Sequence, residues 1–264
     1  MGDYLVRLLR LISPIIPLLL TLLCLPACTT IERDTRLDAP DVDRVLYELG
    51  KESLENKRWL AAREYFAQVV DSYPQSSVRP QSLLGIGDTY EGVGTAASYL
   101  RAIDEFRQFL SFFPLHPQAD YAQYKIALIH LAQVRSPERD QTETKAAIRS
   151  LNEFLDQYPD SNLVGEAETK LRSARDRYSE SEFLVGHYYY RAKWYPGAID
   201  RFKAILEDDP QFTLRDAVYF HLAESLLAVA NKAEALPYFE RLVKEFDKSE
   251  YLADSMKRVT QLKR

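Results

Sequence analysis

The sequence predicts an all-α protein in which about five helix pairs stack into a solenoid that is closed by a C-terminal capping helix. One observation is a frame of apolar residues that recurs five times, with its members on one face of a helix. A second is the proline or acidic residue that ends each frame, because proline cannot continue a helix. A third is the low count of nine glycines among 264 residues. Repeated units that cannot bury an apolar face alone indicate a stacked array.

The recurring frame consists of an alanine, two large apolar residues and an aromatic residue, at steps of four, four and three. Its copies are Ala62-Phe66-Val70-Tyr73, Ala102-Phe106-Leu110-Phe113, Ala147-Leu151-Leu155-Tyr158, Ala198-Phe202-Leu206-Asp209 and Ala235-Phe239-Val243-Phe246. The fourth copy departs from the pattern, since Asp209 replaces the aromatic residue, and Asp247 replaces the terminal proline of the fifth. We expect the alanine and both large apolar residues to be packing positions.

Each frame requires a preceding helix as its partner. The first begins after Pro40, where Asp41 is suitably placed to cap it. A small residue lies 24 positions before the end of three frames, at Gly50, Gly186 and Ala223. We expect this small residue to let the two helices of a pair approach closely.

Two segments of the later chain depart from simple pairs. Residues 163–190 contain no proline and predict either one long helix or two helices with a kink near 179–181. Residues 251–262 predict a final amphipathic helix, which would cover the apolar face at the end of the stack. A polar loop is expected at residues 135–140.

The first 27 residues have the parts of an export signal. Arg7 and Arg10 supply the basic region, and residues 11–27 form an apolar run that contains three prolines. The run ends in Leu25-Pro26-Ala27-Cys28, which resembles the bacterial lipobox, where the cysteine receives lipid. We expect a lipoprotein signal peptide at 1–27, lipidation of Cys28 and a lipidated tether at 28–40. The alternative is an ordinary signal peptide that contains a cysteine.

No pattern of catalytic residues is present in the sequence. The four histidines fall in different repeats, and we expect them to be far apart in space. Zinc-protease, dithiol and serine-hydrolase motifs do not occur, so we expect no enzyme activity and no cofactor besides covalent lipid on Cys28. The net charge of −5 gives no basic surplus, which argues against a nucleic-acid partner.

The spacing of the repeats supports a family resemblance. A small residue followed by Ala, Phe and Pro at 12, 16 and 24 positions resembles the tetratricopeptide repeat, although frame steps of 37 to 51 residues indicate insertions. The first three frames end in an aromatic residue and a proline, with a Ser or His two positions later, and this ending makes the resemblance more specific. The three endings are Tyr73-Pro74-Gln75-Ser76, Phe113-Pro114-Leu115-His116 and Tyr158-Pro159-Asp160-Ser161. Together with the lipobox and the capping helix, the chain resembles the BamD-like family of outer-membrane assembly lipoproteins.

That resemblance implies a non-enzymatic scaffold at the periplasmic face of the outer membrane. Repeats 1–3, at 41–160, would form the groove for unfolded outer-membrane proteins. Repeats 4–5 and the capping helix, at 161–264, would dock a BamA-type barrel insertase, and accessory assembly lipoproteins are possible further partners. Arg201 matches the family's partner-facing arginine, nine residues before Pro210. The alternative is a solvated helix arginine paired with Asp200 or Glu207.

Tyrosines on the first helices are candidates for a peptide groove, because the first helices line the concave face in this repeat class. The candidates for the groove are Tyr47, Tyr90, Tyr121 and Tyr124, and Tyr188 and Tyr189 also lie on a first helix. Most tyrosines in such positions pack in the core with the hydroxyl at its edge, so we expect only one or two to reach a groove. A different class of function also stays open, namely a periplasmic adaptor that coordinates cell-envelope or division proteins.

Overall fold

The computed structural model describes residues 41–264, and within that range eleven helices follow one another without a strand. Their bounds are α1 Val42–Glu55, α2 Trp59–Ser72, α3 Arg79–Val93, α4 Ala96–Phe112, α5 Ala119–Ala132, α6 Thr142–Gln157, α7 Val164–Arg191, α8 Tyr195–Asp208, α9 Arg215–Ala228, α10 Lys232–Glu245 and α11 Leu252–Leu262. The expected signal peptide, Cys28 and the tether lie outside the described residues.

Successive helices from α2 to α11 pack against each other. The pairs are α1/α2, which meet through Tyr47, Gly50 and Phe66, and α3/α4, α5/α6, α7/α8 and α9/α10, with α11 packed against α10 as the last layer. From Asp43 to Arg264 the helices form one compact unit. The prediction of an all-α array of five pairs with a capping helix is therefore confirmed.

The alanine of the recurring frame is a packing position in every copy. All five alanines are 0% exposed, and the following large residue is at most 1% exposed: Phe66, Phe106, Leu151, Phe202 and Phe239. These residues lie on the inner face of the second helix of each pair. Their expected role as packing positions is confirmed, and it accounts for the repetition in the sequence.

The third member of the frame packs at the margin of the core, against its buried residues in four of the five copies. Val70, Leu110, Leu155, Leu206 and Val243 are only half-buried. The residue immediately before each is buried instead, at 0 to 3% exposure: Val69, Phe109, Phe154, Ile205 and Leu242. Seven residues make almost two full helical turns, whereas an eighth rotates the side chain away from the inner face.

The small residues of the first helices permit close packing, as expected. A Cβ atom built on Gly50 would lie 2.5 Å from Cε1 of Phe66, and one on Gly186 would lie 2.7 Å from Cε1 of Phe202. Gly85 meets the other edge of Phe66, where a Cβ atom would lie 2.6 Å from Cε2. The Phe66 ring is thus held between α1 and α3.

The turn after the second helix is tied to the start of the first helix in three repeats. A serine hydroxyl donates to an aspartate on the first turn of the helix, with oxygen–oxygen distances of 2.5, 2.6 and 2.7 Å: Ser76 to Asp43, Ser161 to Asp120 and Ser249 to Asp216. The serine that follows the frame in the sequence therefore has a structural role.

Helix α7 is one uninterrupted helix of 28 residues, which decides between the two alternatives for this segment. In its first half, Ala167 and Leu171 pack into a cluster with Phe154 of α6. In its second half, Phe183 packs against the cluster that contains Phe202 of α8. The middle of α7 therefore joins the third repeat to the fourth.

Within residues 41–264, none of the helices combines the length and the apolar character needed to cross a membrane.

Candidate functional site

Arg201 lies on α8 with 46% of its side chain exposed, and its nearest acid is on another helix. Its Nη1 donates to Oε2 of Glu182 on α7 at 2.7 Å. The helix neighbours Asp200 and Glu207, which the sequence offered as partners, do not form this ion pair. Sequence reasoning missed Glu182 because no helical spacing relates positions 19 residues apart on different helices.

A cleft of about 550 Å³ surrounds this ion pair where α6, α7 and α8 meet. Its lining residues are Lys145, Ile148, Arg175, Tyr178, Ser179, Glu182, Arg201, Ala204, Ile205, Asp208 and Asp209. Each of the three helices thus contributes a cation to one concave surface. Apolar groups from α6 and α8 form part of the same wall.

Two of the cations in this cleft have no acidic partner among residues 41–264. Arg175 Nη2 donates to the neutral amide oxygen Oδ1 of Asn152 at 3.1 Å. Lys145 Nζ lies 4.9 Å from the centre of the Tyr178 ring, which is a cation–π distance. Both cations can therefore accept an additional acidic partner without first losing an ion pair.

Asp209 forms the buried edge of the cleft and is 5% exposed. Arg172 donates to both of its carboxylate oxygens, at 2.8 and 2.5 Å, and Ser179 Oγ donates at 2.7 Å. Burial alone would raise the pKa of Asp209, but these hydrogen bonds outweigh it and hold that pKa below its ordinary value. The acid that replaces an aromatic residue in the fourth frame is thus part of a polar network.

Tyr47 and Tyr121 line one smaller cleft of about 280 Å³ in the first repeats. Tyr47 is half-buried and its ring lies 5.9 Å from that of Phe66. The Tyr121 hydroxyl donates to Oδ1 of Asp88 at 2.8 Å. Lys51 borders the same cleft, so an aromatic surface with one cation and one acid is formed there.

The other two candidate tyrosines do not line this cleft. The guanidinium of Arg63 covers the Tyr90 ring at 3.8 Å from its centre. Tyr124 is 4% exposed and packs against Phe154 at 5.3 Å between ring centres. It therefore lies in the core and not in a groove, where it was listed as a candidate. Residue 124 is helical and aromatic like residue 121, and only its face of α5 distinguishes the two.

Exposed aromatic residues mark a second surface, on the C-terminal half of α7 and the turn after it. Tyr188 is 68% exposed and Trp194 is 55% exposed. Tyr189 connects them, because its ring lies 6.0 Å from that of Tyr188 and 4.5 Å from that of Trp194. Tyr188 also borders two open clefts of about 680 and 510 Å³. Large exposed aromatic side chains are typical of protein-binding surfaces.

Two of the histidines lie together, which corrects the expectation that all four are far apart. The ring centres of His187 and His221 are 4.8 Å apart, between α7 and α9. Burial, and secondarily His187, lowers the pKa of His221 to about 4. In the described part of the chain, no group of three or more His, Cys, Asp or Glu side chains could hold a metal ion.

Comparison with protein families matches most of the chain to one family. The family model for YfiO, described as an outer membrane lipoprotein, matches residues 40–225. A tetratricopeptide-repeat model matches residues 217–249, which include α9 and α10.

Curated relatives carry one name. The outer membrane protein assembly factor BamD of Caulobacter vibrioides is 28% identical over 191 residues, which cover 72% of this chain and 62% of that protein. The protein of the same name from Rickettsia prowazekii is 25% identical over 194 residues, which cover 73% of this chain and 76% of the relative. The match therefore spans less than two thirds of the Caulobacter relative.

Solved structures give weaker matches. The TPR2AB domain of yeast Sti1, in a complex with pHSP90, has a TM-score of 0.41 at 13% identity, and the match covers 86% of this chain and all of that one. A tetratricopeptide-repeat protein of Thermus thermophilus has a TM-score of 0.35 at 17% identity, with coverage of 83% and 98%.

Proposed function

Because the chain belongs to the YfiO family of outer membrane lipoproteins, we propose that it is a non-enzymatic scaffold of the outer-membrane β-barrel assembly machinery. The family match over residues 40–225 carries this proposal, since it includes the first four helix pairs. A helical array presents extended surfaces to several proteins at once. Holding an unfolded barrel protein beside its insertase raises the effective concentration of one for the other.

We assign the two ends of the array to different partners. Repeats 1–3 receive segments of unfolded outer-membrane proteins, supported by the cleft that Tyr47 and Tyr121 line. Repeats 4–5 dock the BamA-type insertase, supported by the exposed side chains of Arg201, Tyr188 and Trp194. Aromatic residues and arginine are enriched where protein interfaces derive most of their binding energy. Accessory assembly lipoproteins would add to this core complex.

The lipid anchor completes the proposed arrangement. Acylation of Cys28 would hold the array at the periplasmic face of the outer membrane, since several acyl chains give stable attachment. Metabolic labelling with a fatty-acid analogue tests the anchor, and Cys28→Ala is its control. We expect label on the wild-type protein and none on the variant, and label retained by Cys28→Ala would contradict the assignment.

Affinity purification from membranes, followed by mass spectrometry, tests the function itself. We expect an outer-membrane barrel insertase among the recovered proteins. Recovery of cell-wall or division proteins without an insertase would favour the adaptor alternative. Arg201→Glu should make the complex sensitive to salt washing, whereas Arg107→Glu, an exposed arginine on α4 in the second repeat, should not. A complex that survives washing equally in both variants would remove Arg201 from the interface.

A further inference from the structure

We propose that the turn between α4 and α5 is a second point of membrane contact, at which Phe112 and Leu115 insert into the surface of a phospholipid bilayer. These two side chains, called the apolar tip below, are 55% and 96% exposed. The proposal rests on the proposed acylation of Cys28 and adds to it. Lipid at one end of the chain holds the protein at the membrane, and the apolar tip fixes which edge of the array faces it.

The apolar tip interrupts a pattern that the other four repeats keep. In every repeat, the turn after the second helix exposes the residue before the last frame position and the residue two positions after it. The other four turns have polar or charged side chains at both places: Ser72 and Gln75, Gln157 and Asp160, Asp208 and Gln211, and Glu245 and Lys248. Since these four turns fold with polar side chains there, packing of the repeats does not account for Phe112 and Leu115.

The same turn lacks the charges that would oppose contact with lipid. Residues 108–119 contain no Asp, Glu, Lys or Arg. The equivalent stretches of the other four repeats each contain at least one acid, such as Asp71, Asp156, Asp208 and Glu245. Moving a charged side chain out of water is costly. Of the five turns, this one can therefore approach a bilayer without that cost.

The backbone of the turn needs little water. Pro114 and Pro117 have no N–H group to hydrate. The N–H of Phe113 donates to the carbonyl of Phe109 at 2.8 Å, and the N–H of His116 donates to the carbonyl of Phe113 at 3.1 Å. The ring of Phe113 lies 5.5 Å from that of Phe109, which fixes the turn against the core. Backbone groups that are already paired lower the cost of entering an apolar medium.

The apolar tip lies on the same edge of the array as the start of α1. Ser76, in the turn after α2, donates to Asp43 on the first turn of α1 at 2.5 Å. Arg79, at the start of α3, lies 5.9 Å from the centre of the Phe113 ring. Fifteen residues separate Cys28 from Asp43, and an extended chain of that length spans at most about 50 Å. An acylated Cys28 therefore keeps this edge within reach of the bilayer.

The shape of the turn favours a lipid surface over a folded protein as its partner. The two apolar side chains project from a convex turn, and neither lines any of the four clefts described above. A folded protein would need a pocket that matches the tip, whereas a bilayer accepts apolar groups of any shape. A chain anchored only through its end can turn about the tether, and contact at the tip restricts that rotation.

The test attaches an environment-sensitive fluorophore to Leu115→Cys in the full-length acylated protein, reconstituted alone in vesicles of phosphatidylethanolamine and phosphatidylglycerol. The natural cysteines do not react, because Cys28 carries lipid and Cys24 lies in the signal peptide. We expect the emission to shift to shorter wavelength on reconstitution. Spin-labelled lipids should quench it several-fold more strongly than they quench a label at the control position, and aqueous iodide should quench it less.

Leu100→Cys provides the control position. Leu100 is a leucine of α4 that is 67% exposed, and it lies twelve residues, or about 18 Å along the helix, before Phe112. Its label should remain in water. Adding Phe112→Ser to the labelled Leu115→Cys protein should reduce quenching by the lipids by about half or more, because less apolar surface enters the bilayer. Both side chains of the tip are exposed, so thermal melts of these variants should match the wild type.

The outcomes separate this inference from the proposed function. If the protein carries no acyl group and does not float with the vesicles, the proposed anchor is wrong and the inference with it. If the protein floats but the labels at positions 115 and 100 are quenched alike, the inference is wrong and the anchor stands. If the label at position 115 leaves water only in native membranes that contain other envelope proteins, the tip binds a protein and the lipid assignment is overturned.

Discussion

Arg172 on α7 donates two parallel hydrogen bonds of 2.8 and 2.5 Å to Asp209, the C-cap residue that follows α8. The other four frames have an aromatic residue at the position of Asp209. That aromatic residue precedes a proline in the first three frames and Asp247 in the fifth. Arg172 also pairs with Asp176 at 3.0 Å, and Asp176 accepts from the backbone N–H of Thr213 at 2.9 Å. A polar network therefore joins the middle of α7 to the turn after α8.

Asp209→Asn should destabilise the protein by about 2 kcal/mol, because hydrogen bonds to a charged, buried group are among the stronger ones. The substitution keeps the size of the side chain but removes its charge, and it replaces one acceptor oxygen by an NH2 group that can only donate hydrogen bonds. Urea unfolding measures the free energy. Asp208→Asn is the control, since Asp208 is exposed and should change stability by less than about 0.5 kcal/mol. Equal effects of the two changes would exclude a structural role for the network.

The same carboxylate predicts a pH dependence. Its pKa in the folded protein lies below the ordinary value of 3.8, so the unfolded chain binds the proton more readily. The stability that Asp209 contributes is complete above pH 3.8 and is lost as the pH falls below that value through the lowered pKa. The difference in unfolding free energy between wild type and Asp209→Asn should shrink over that acidic range. A difference that is constant down to the lowest measurable pH would contradict this assignment.

Two glycines of α7 should respond oppositely to alanine. At Gly186 the new Cβ atom would lie 2.7 Å from the Phe202 ring, so Gly186→Ala should cost about 1–3 kcal/mol through overpacking. At Gly165 the new Cβ atom would meet no heavy atom within 4 Å apart from the adjoining residues and backbone of its own helix, and Gly165→Ala should stabilise by up to about 1 kcal/mol, since alanine favours the helix. Thermal unfolding of both variants checks the pair. A Gly186→Ala protein as stable as the wild type would show that α7 and α8 can separate without cost.

The capping helix should depend on its ion pair with α9. Arg258 donates from Nε and Nη2 to the two carboxylate oxygens of Glu224 at 2.6 and 2.9 Å. Arg258→Leu should weaken the attachment of α11 by about 1 kcal/mol, since the bidentate pair is only partly exposed. Hydrogen exchange of the amides in 252–262 should then accelerate, while exchange in α2 stays unchanged. Uniform acceleration along the chain would point to global destabilisation instead.

The exposed aromatic surface should matter for binding and not for folding. Tyr188→Ala should change unfolding free energy by less than about 0.5 kcal/mol, because the side chain is 68% exposed. It should reduce recovery of the insertase in membrane pull-downs, since truncating an interfacial tyrosine removes an anchor. Leu100→Ala is the control, because Leu100 is 67% exposed on α4. Equal recovery with both variants would place the interface elsewhere.

The helices and their pairing were predictable from the sequence, because apolar spacing and prolines act locally along the chain. The frame did not reveal that Val69 is more deeply buried than Val70, which packs at the margin of the core. In a sequence, apolar residues that lie seven or eight positions apart both fit helical periodicity. Only packing against the neighbouring helix distinguishes them, since it selects the side chain that points directly inward.

The candidate site was predictable only in part. The family resemblance drew attention to Arg201, and Asp209 stood out because it replaces the aromatic residue of the other four frames. The sequence offered no means of finding Glu182 or Arg172, which lie 19 and 37 residues away and share no periodicity with their partners. Nor did it separate Tyr121 from the buried Tyr124.

What the sequence determined by itself was therefore the array: five helix pairs, the residues that end the second helix of each pair, and the residues that stack the pairs. What only the tertiary structure decided was which charges meet, namely Arg172 with Asp209 and Arg201 with Glu182. The physical reason is that stacking is repeated and local, so the chain states it five times. An ion pair between helices depends on the rotation of each helix about its own axis, which is set by packing of the whole stack.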